Sequence, residues 1–121
     1  TRGMKLTYQG EIPVKKNTQR ISKHGGIYKP KNAADFEETI GWEWRLTRQE
    51  PVPGTFKIVS GAFYIPERKD LDGCLTSLLD ALQYAGAIEN DRLLRSINDL
   101  KKIPLEKGAQ ERLEITIEAY T

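Results

Sequence analysis

Residues 67–92 read ERKDLDGCLTSLLDALQYAGAIENDR. Leu71, Leu75, Leu78, Leu79 and Leu82 recur at helical spacing, and Gly86 stands where a helix should stop. The stretch predicts one amphipathic helix, which needs a surface on which to bury its apolar stripe. It also sets Arg68 and Lys69 ahead of two closely spaced acids, Asp70 and Asp72, and a third acid, Asp91, beyond the far end of the helix.

Strand patterns on both sides supply that surface. MKLTYQGEIP (residues 4–13) reads as a first strand ending at Pro13. TFKIVSGAFYI (55–65) follows the turn PVPG as a strand with Phe56 and Ile58 on one face, and Gly61 is read as the mark of a bulge. LLRSINDLKKI (93–103) reads as one strand, PLEKGA turns the chain, and RLEITIEAY alternates Leu113, Ile115, Ile117 and Ala119 with charged or polar residues. Asn32 is placed to cap a helix running to about Arg48, with Asp35, Glu37 and Glu38 near its positive end and Phe36, Ile40 and Trp44 on one face. Ile40, Trp42, Trp44 and Leu46 also alternate as in a strand; the cap and the acidic first turn favour helix. Trp42 is read as core packing in preference to an exposed contact aromatic. The order β-α-β-α-β-β implies an α+β domain, a mixed four-stranded sheet with two helices packed against it.

A chain of 121 residues is one domain by length, here 1–121, and 38% apolar with 30% charged residues favours a folded domain over disorder. No apolar run approaches the roughly 18 residues of a membrane span, and no secretory signal pattern precedes the domain. Cys74 is the single cysteine, which rules out an internal disulfide and a Cys-rich zinc site. A reducing, cytoplasmic compartment fits these features. Thr1–Gly3 read as a cloning remnant ahead of a native start at Met4. The net charge of +2 hides an asymmetry: Arg2, Lys5, Lys15, Lys16, Arg20, Lys23, Lys29 and Lys31 face only Glu11 in residues 1–31. Residues 13–32 form a long basic loop with Gly25, Gly26 and Pro30, and such a segment suits either a polyanion contact or a solvated surface.

Asp70 and Asp72, two apart in an extended segment, point the same way and repel. A helix N-terminus offsets part of that, with Asp72 as a plain N-cap; a bound Mg²⁺, which prefers carboxylate oxygens, offsets more. Asp91 can fold back beside them or serve another subunit's site, because the intervening chain is long enough for either. Asp80 lies two helical turns from Asp72 and reads as a cap or the partner of a surface cation. His24 reads as polar surface and Cys74 as a small buried side chain. There is no phosphate-binding glycine motif.

The same residues resemble the RusA-type Holliday junction resolvases. The basic pair, D-L-D (70–72), D-A-L (80–82), A-G (85–86) and the late acid carry the likeness. Upstream, GEIPVKKNTQR, KHGGIYKPKN and the following helix are similar to that family's first strand and basic loop; downstream, RLEITIEAY is similar to its closing strand. The resemblance implies a homodimeric, Mg²⁺-dependent endonuclease that nicks four-way DNA junctions symmetrically in recombination and repair, of bacterial and commonly prophage origin. It assigns Asp70, Asp72 and Asp91 as catalytic metal ligands and Lys69 as the basic residue before them. It matches Asn17 to the loop asparagine. Lys15, Lys16, Asn17, Arg20, Lys23, Lys29, Lys31 and Arg68 become the DNA contacts. Four departures stand out. The family's asparagine after D-L-D is Gly73, and its lysine four residues after the second Asp is Thr76; of the usual acidic pair at 90–91 only Asp91 remains, and Leu93 replaces a common glutamine. Lys69, Lys57 or Lys101 would have to stand in for the missing cation. The alternatives are a branched-DNA-binding relative without turnover and an interaction protein using Trp42 and the leucine helix.

Overall fold

The order of elements follows from where the alternating and helical patterns change. The computed structural model describes residues 3–15 and 31–121, without the side chain of Lys31. Strand β1 (Gly3–Gln9) buries every second residue, Met4, Leu6 and Tyr8, as its pattern requires. Helix α1 (Lys31–Thr47) buries Phe36, Ile40 and Trp44 along one stripe. It ends where the Thr47 hydroxyl turns back to the Trp44 carbonyl and Arg48 takes a left-handed conformation with φ 55°. Strand β2 (Phe56–Ile65) leads through a turn to helix α2 (Leu71–Ala85), which stops at Gly86 with φ 85°. A short 3₁₀ turn (Asp91–Leu93) precedes β3 (Leu94–Ile97), β4 (Lys101–Pro104) and β5 (Arg112–Ala119).

The sheet is mixed, in the order β1-β5-β2-β3 with β4 also on β2. β5 lies antiparallel between β1 and β2; β3 and β4 run parallel to β2, so β2, α2 and β3 make a β-α-β unit. α1 packs on α2 and on β1, and an edge-to-face contact between Tyr8 and Phe36 (centroids 5.0 Å apart, planes at 88°) joins strand to helix. The sheet residues Phe56, Ile58, Phe63, Leu113, Ile115 and Ile117 form one core with Cys74, Leu78 and Leu82 of α2.

The α+β class, the mixed sheet and the two helices are as expected. The expected single strand over 93–103 is two, so the sheet has five strands and not four. β3 holds the first part of β2 (Phe56–Ile58) and β4 the last (Ala62–Ile65), with Asn98–Leu100 between them. The bulge in β2 falls between Ile58 and Ser60 and not at Gly61. Gly61 has another reason: a Cβ there would lie 2.8 Å from Leu100 Cδ1, so the break in the edge strand rests its leucine on the glycine. Trp42 is also placed differently from expectation. It is 56% exposed with the Arg45 guanidinium 5.1 Å from its ring, while Trp44 takes the core position, because 44 and not 42 shares the buried stripe of 36 and 40.

Candidate active site

The turn that presents the acids is short and tied at several points. β2 ends at Ile65; the Lys69 N–H closes the turn onto the Pro66 carbonyl at 3.0 Å, and Lys102 Nζ holds the Glu67 carbonyl at 2.7 Å. Asp70 then takes an extended conformation (φ −80°, ψ 133°) in the N-cap position of α2, and its carbonyl receives the Cys74 N–H at 3.1 Å. Its side chain makes no capping hydrogen bond. Asp72 is not the cap: it lies in the first turn, and its Oδ1 meets the adjacent Gly73 N–H at 2.9 Å. Both residues are exposed. Two carboxylates thus stand at the positive end of α2, and Asp70 holds the capping position without capping.

Asp91 is elsewhere. Its N–H donates to Gln83 Oε1 at 2.9 Å, beside the last turn of α2, and Asn90 Oδ1 caps the 3₁₀ turn through the Arg92 N–H at 3.0 Å. Most of the helix, about 16 Å from Asp72 to Gln83 at 1.5 Å per residue, separates that end from Asp72. Among the described residues no three acidic, cysteine or histidine side chains come together as a metal site. Asp91 therefore does not fold back beside Asp70 and Asp72 within its own chain.

Lys69 is placed differently from expectation as well. It is buried, and its ammonium donates to the Ile12 carbonyl at 2.7 Å and to Glu111 Oε1 at 2.9 Å, so it faces the sheet and not a phosphate. Lys69 closes the turn and its side chain runs inward, while Asp70, the next residue, begins α2 on the exposed side. Glu111 gave no signal in the sequence, being one acid among 17 with its partner far away in the chain. Lys15 reaches the helix instead. Its N–H bonds the Gly73 carbonyl at 3.2 Å, and its ammonium pairs with Asp80, one turn beyond Thr76. Asp80 thus partners a surface cation, as read. Arg68 is exposed on the turn. Lys16, Asn17, Arg20, Lys23, His24 and Lys29 lie outside the described residues, as does the side chain of Lys31.

A family model described as Endodeoxyribonuclease RusA matches residues 11–118. The chain belongs to the RusA endodeoxyribonuclease family. A relative from Aquifex aeolicus (strain VF5), Crossover junction endodeoxyribonuclease RusA, is 32% identical over 106 residues, covering 85% of this chain and 82% of that protein. Within this RusA chain the two departures in the acidic motif have local reasons. A Cβ at Gly73 would lie 2.4 Å from Val14 Cγ1 and 3.4 Å from the Lys15 carbonyl, so only glycine lets residues 14–15 run against the helix. Thr76 spends its hydroxyl on the Asp72 carbonyl at 2.9 Å. Of the cations expected to replace the lysine, Lys69 is turned inward and Lys101 lies 3.5 Å from Asp99. Cys74 is fully buried, and burial pushes its thiol up to about 11, partly offset by the nearby Lys69. No helix among the described residues is long and apolar enough to cross a membrane.

Proposed function

We propose that this RusA-family chain is a Mg²⁺-dependent endonuclease that resolves four-way DNA junctions by paired, symmetric nicks in recombination and repair. The observation that carries the reading is the pair of exposed carboxylates at the head of α2, with Asp70 in a cap position it does not use, in a chain whose family match spans nearly its whole length. Oxygen-only donors suit Mg²⁺, a hard cation that binds through one or two carboxylates and retains water. Asp70 and Asp72 would hold it, and Asp91 completes the set from a second copy of the chain. When bound, the ion activates water and neutralises charge on the scissile phosphate. The chain's own residues orient that chemistry: the Pro66–Lys69 turn aims the two acids outward, and Lys69 holds the turn from inside.

DNA is bound through Arg68, Lys15, Lys16, Asn17, Arg20, Lys23, Lys29 and Lys31, which meet backbone phosphates, and junction choice rests on shape. Lys15 supplies the cation on the Thr76 side of α2 that this chain's sequence lacks at position 76. A homodimer is part of the reading, because two nicks in one binding event need two sites about a two-fold axis. Trp42, Leu46 and Tyr84, large and exposed on the helical layer, offer apolar surface for it.

A Mg²⁺-dependent nicking assay on a synthetic four-way junction tests the proposal. Asp70→Asn and Asp72→Asn are each expected to abolish nicking while junction binding stays intact or tightens, since each removes a negative charge near phosphate. Wild-type nicking by either variant removes that residue from the site. Affinity should fall steeply with salt, and changing both Lys15 and Lys16 to Ala should make the slope shallower. A second reading, junction binding without turnover, is favoured by Thr76, whose hydroxyl is bound to the helix backbone where the family has a lysine. It predicts binding with no nicks at any Mg²⁺ concentration.

A further inference from the structure

Lys69 and Glu111, 42 residues apart, form an ion pair nearly out of water: 8% and 12% of the two side chains are exposed. The same Glu111 Oε1 accepts the Ile12 N–H at 3.0 Å, and the Ile12 carbonyl accepts from Lys69 Nζ at 2.7 Å. Ile12 is fully buried. Three segments distant in the chain are closed into one ring: the end of the first strand region, the acid turn and the entry to β5. Desolvation cancels most of what a buried ion pair gains by attraction, so its net stabilisation is small. What it does fix is position, because neither charge can leave without stranding the other.

Two short connections run from this ring to the acids. Lys69 is joined to Asp70 directly. From Ile12 the chain passes through Pro13 and Val14 to Lys15, whose N–H holds the Gly73 carbonyl. The acid turn is thus gripped at its first residue and again one helical turn later. We propose that Glu111 is a positioning residue: acting through Lys69 and Ile12, it sets where the Asp70 and Asp72 carboxylates stand relative to the sheet and to the chain entering the basic stretch. This rests on the metal-binding role put forward above for the two acids. Glu111 itself touches neither metal nor DNA.

Two variants test it. Glu111→Gln keeps an acceptor but not the charge. The double change Lys69→Met with Glu111→Leu strands neither charge but leaves the Ile12 N–H and carbonyl unpaired, so folding is checked first by the native exchange of the β1–β5 ladder. Amide hydrogen exchange reads the positioning without any metal or DNA. In the double variant the Lys15 and Cys74 amides should exchange about tenfold faster or more while the β1–β5 ladder is unchanged. Mn²⁺ binding by calorimetry should weaken about tenfold and junction nicking should fall about 10–100-fold, the range typical of residues behind a metal ligand. Glu111→Gln, which leaves the buried Lys69 charge without its partner, should shift all three at least as far as the double variant. Native exchange at Lys15 and Cys74 in both variants overturns the proposal, as does faster exchange with undiminished Mn²⁺ affinity. If the wild-type protein neither binds Mn²⁺ nor nicks, the proposed activity falls, and the exchange comparison alone still decides whether Glu111 holds the turn.

Discussion

Lys15 and Lys69 exchange the places that their sequence neighbours suggest. Lys69 stands beside the D-L-D motif and faces the sheet; Lys15, far from it in the chain, lays its ammonium on α2. Lys69 closes a turn and faces inward while Asp70 begins the helix and faces out, whereas the sequence motif suggests that both serve the same site. That a carboxylate waits on the inner side is not legible, because Glu111 stands at the entry to β5, 42 residues away. The exposed acids were legible as a pair; which one occupies the cap position depended on a backbone angle at Asp70. At this scale Cys74 offers a pH test. Burial raises its thiol from an ordinary 9.0 to about 11. The folded state therefore keeps a proton that the unfolded chain releases first. The resulting stability is complete below pH 9 and is lost as pH rises through about 11. Urea titrations of the wild type and of Cys74→Ala between pH 8 and 11 should show the wild type losing stability faster than the variant. Parallel pH profiles would mean that the thiol is not held protonated. At pH 8 the native protein should resist iodoacetamide until unfolded.

Among the elements, α2 and β5 were readable nearly to their ends, since each carries an uninterrupted period and α2 a terminal glycine. The segment 93–103 was not, because nothing local says that Leu100 leaves the sheet to rest on Gly61. A glycine in a sequence announces a close approach without saying what approaches. Gly73 shows the same point at the start of α2. Alanine is the better helix former by about 1 kcal/mol, yet a methyl group there would meet the stiff Val14 side chain at 2.4 Å. Overpacking of this kind costs about 1–3 kcal/mol and should prevail. Gly73→Ala is expected to lower the urea midpoint with the denaturant slope unchanged. A midpoint at or above that of wild type would mean that residues 14–15 move aside at no cost.

For the whole molecule, the length of α2 decides how a site can be assembled. With Asp70 and Asp72 at one end and Asp91 at the other, the three-carboxylate site proposed above would draw on two chains. Mixing Asp70→Asn protein with Asp91→Asn protein should then restore nicking of one strand, since each heterodimer regains one intact site. No activity in the mixture would mean that each site is built within one chain, and a monomer by sedimentation at working concentration would remove the dimer altogether. The family and the α+β class were legible because their signals are spread along the chain; the division of the acids was not, because it depends on where the chain goes after Gly86. The sheet order carries one more consequence. β5, which follows the other described strands in the chain, is the partner of both β1 and β2, and Gly3 pairs with Glu118. The helices can form as they emerge, but β1 and β2 are joined only after β5 has been made. Until β5 is in place β1 and β2 are not joined, and the ring through Ile12, Lys69 and Glu111 behind the acid turn stays open.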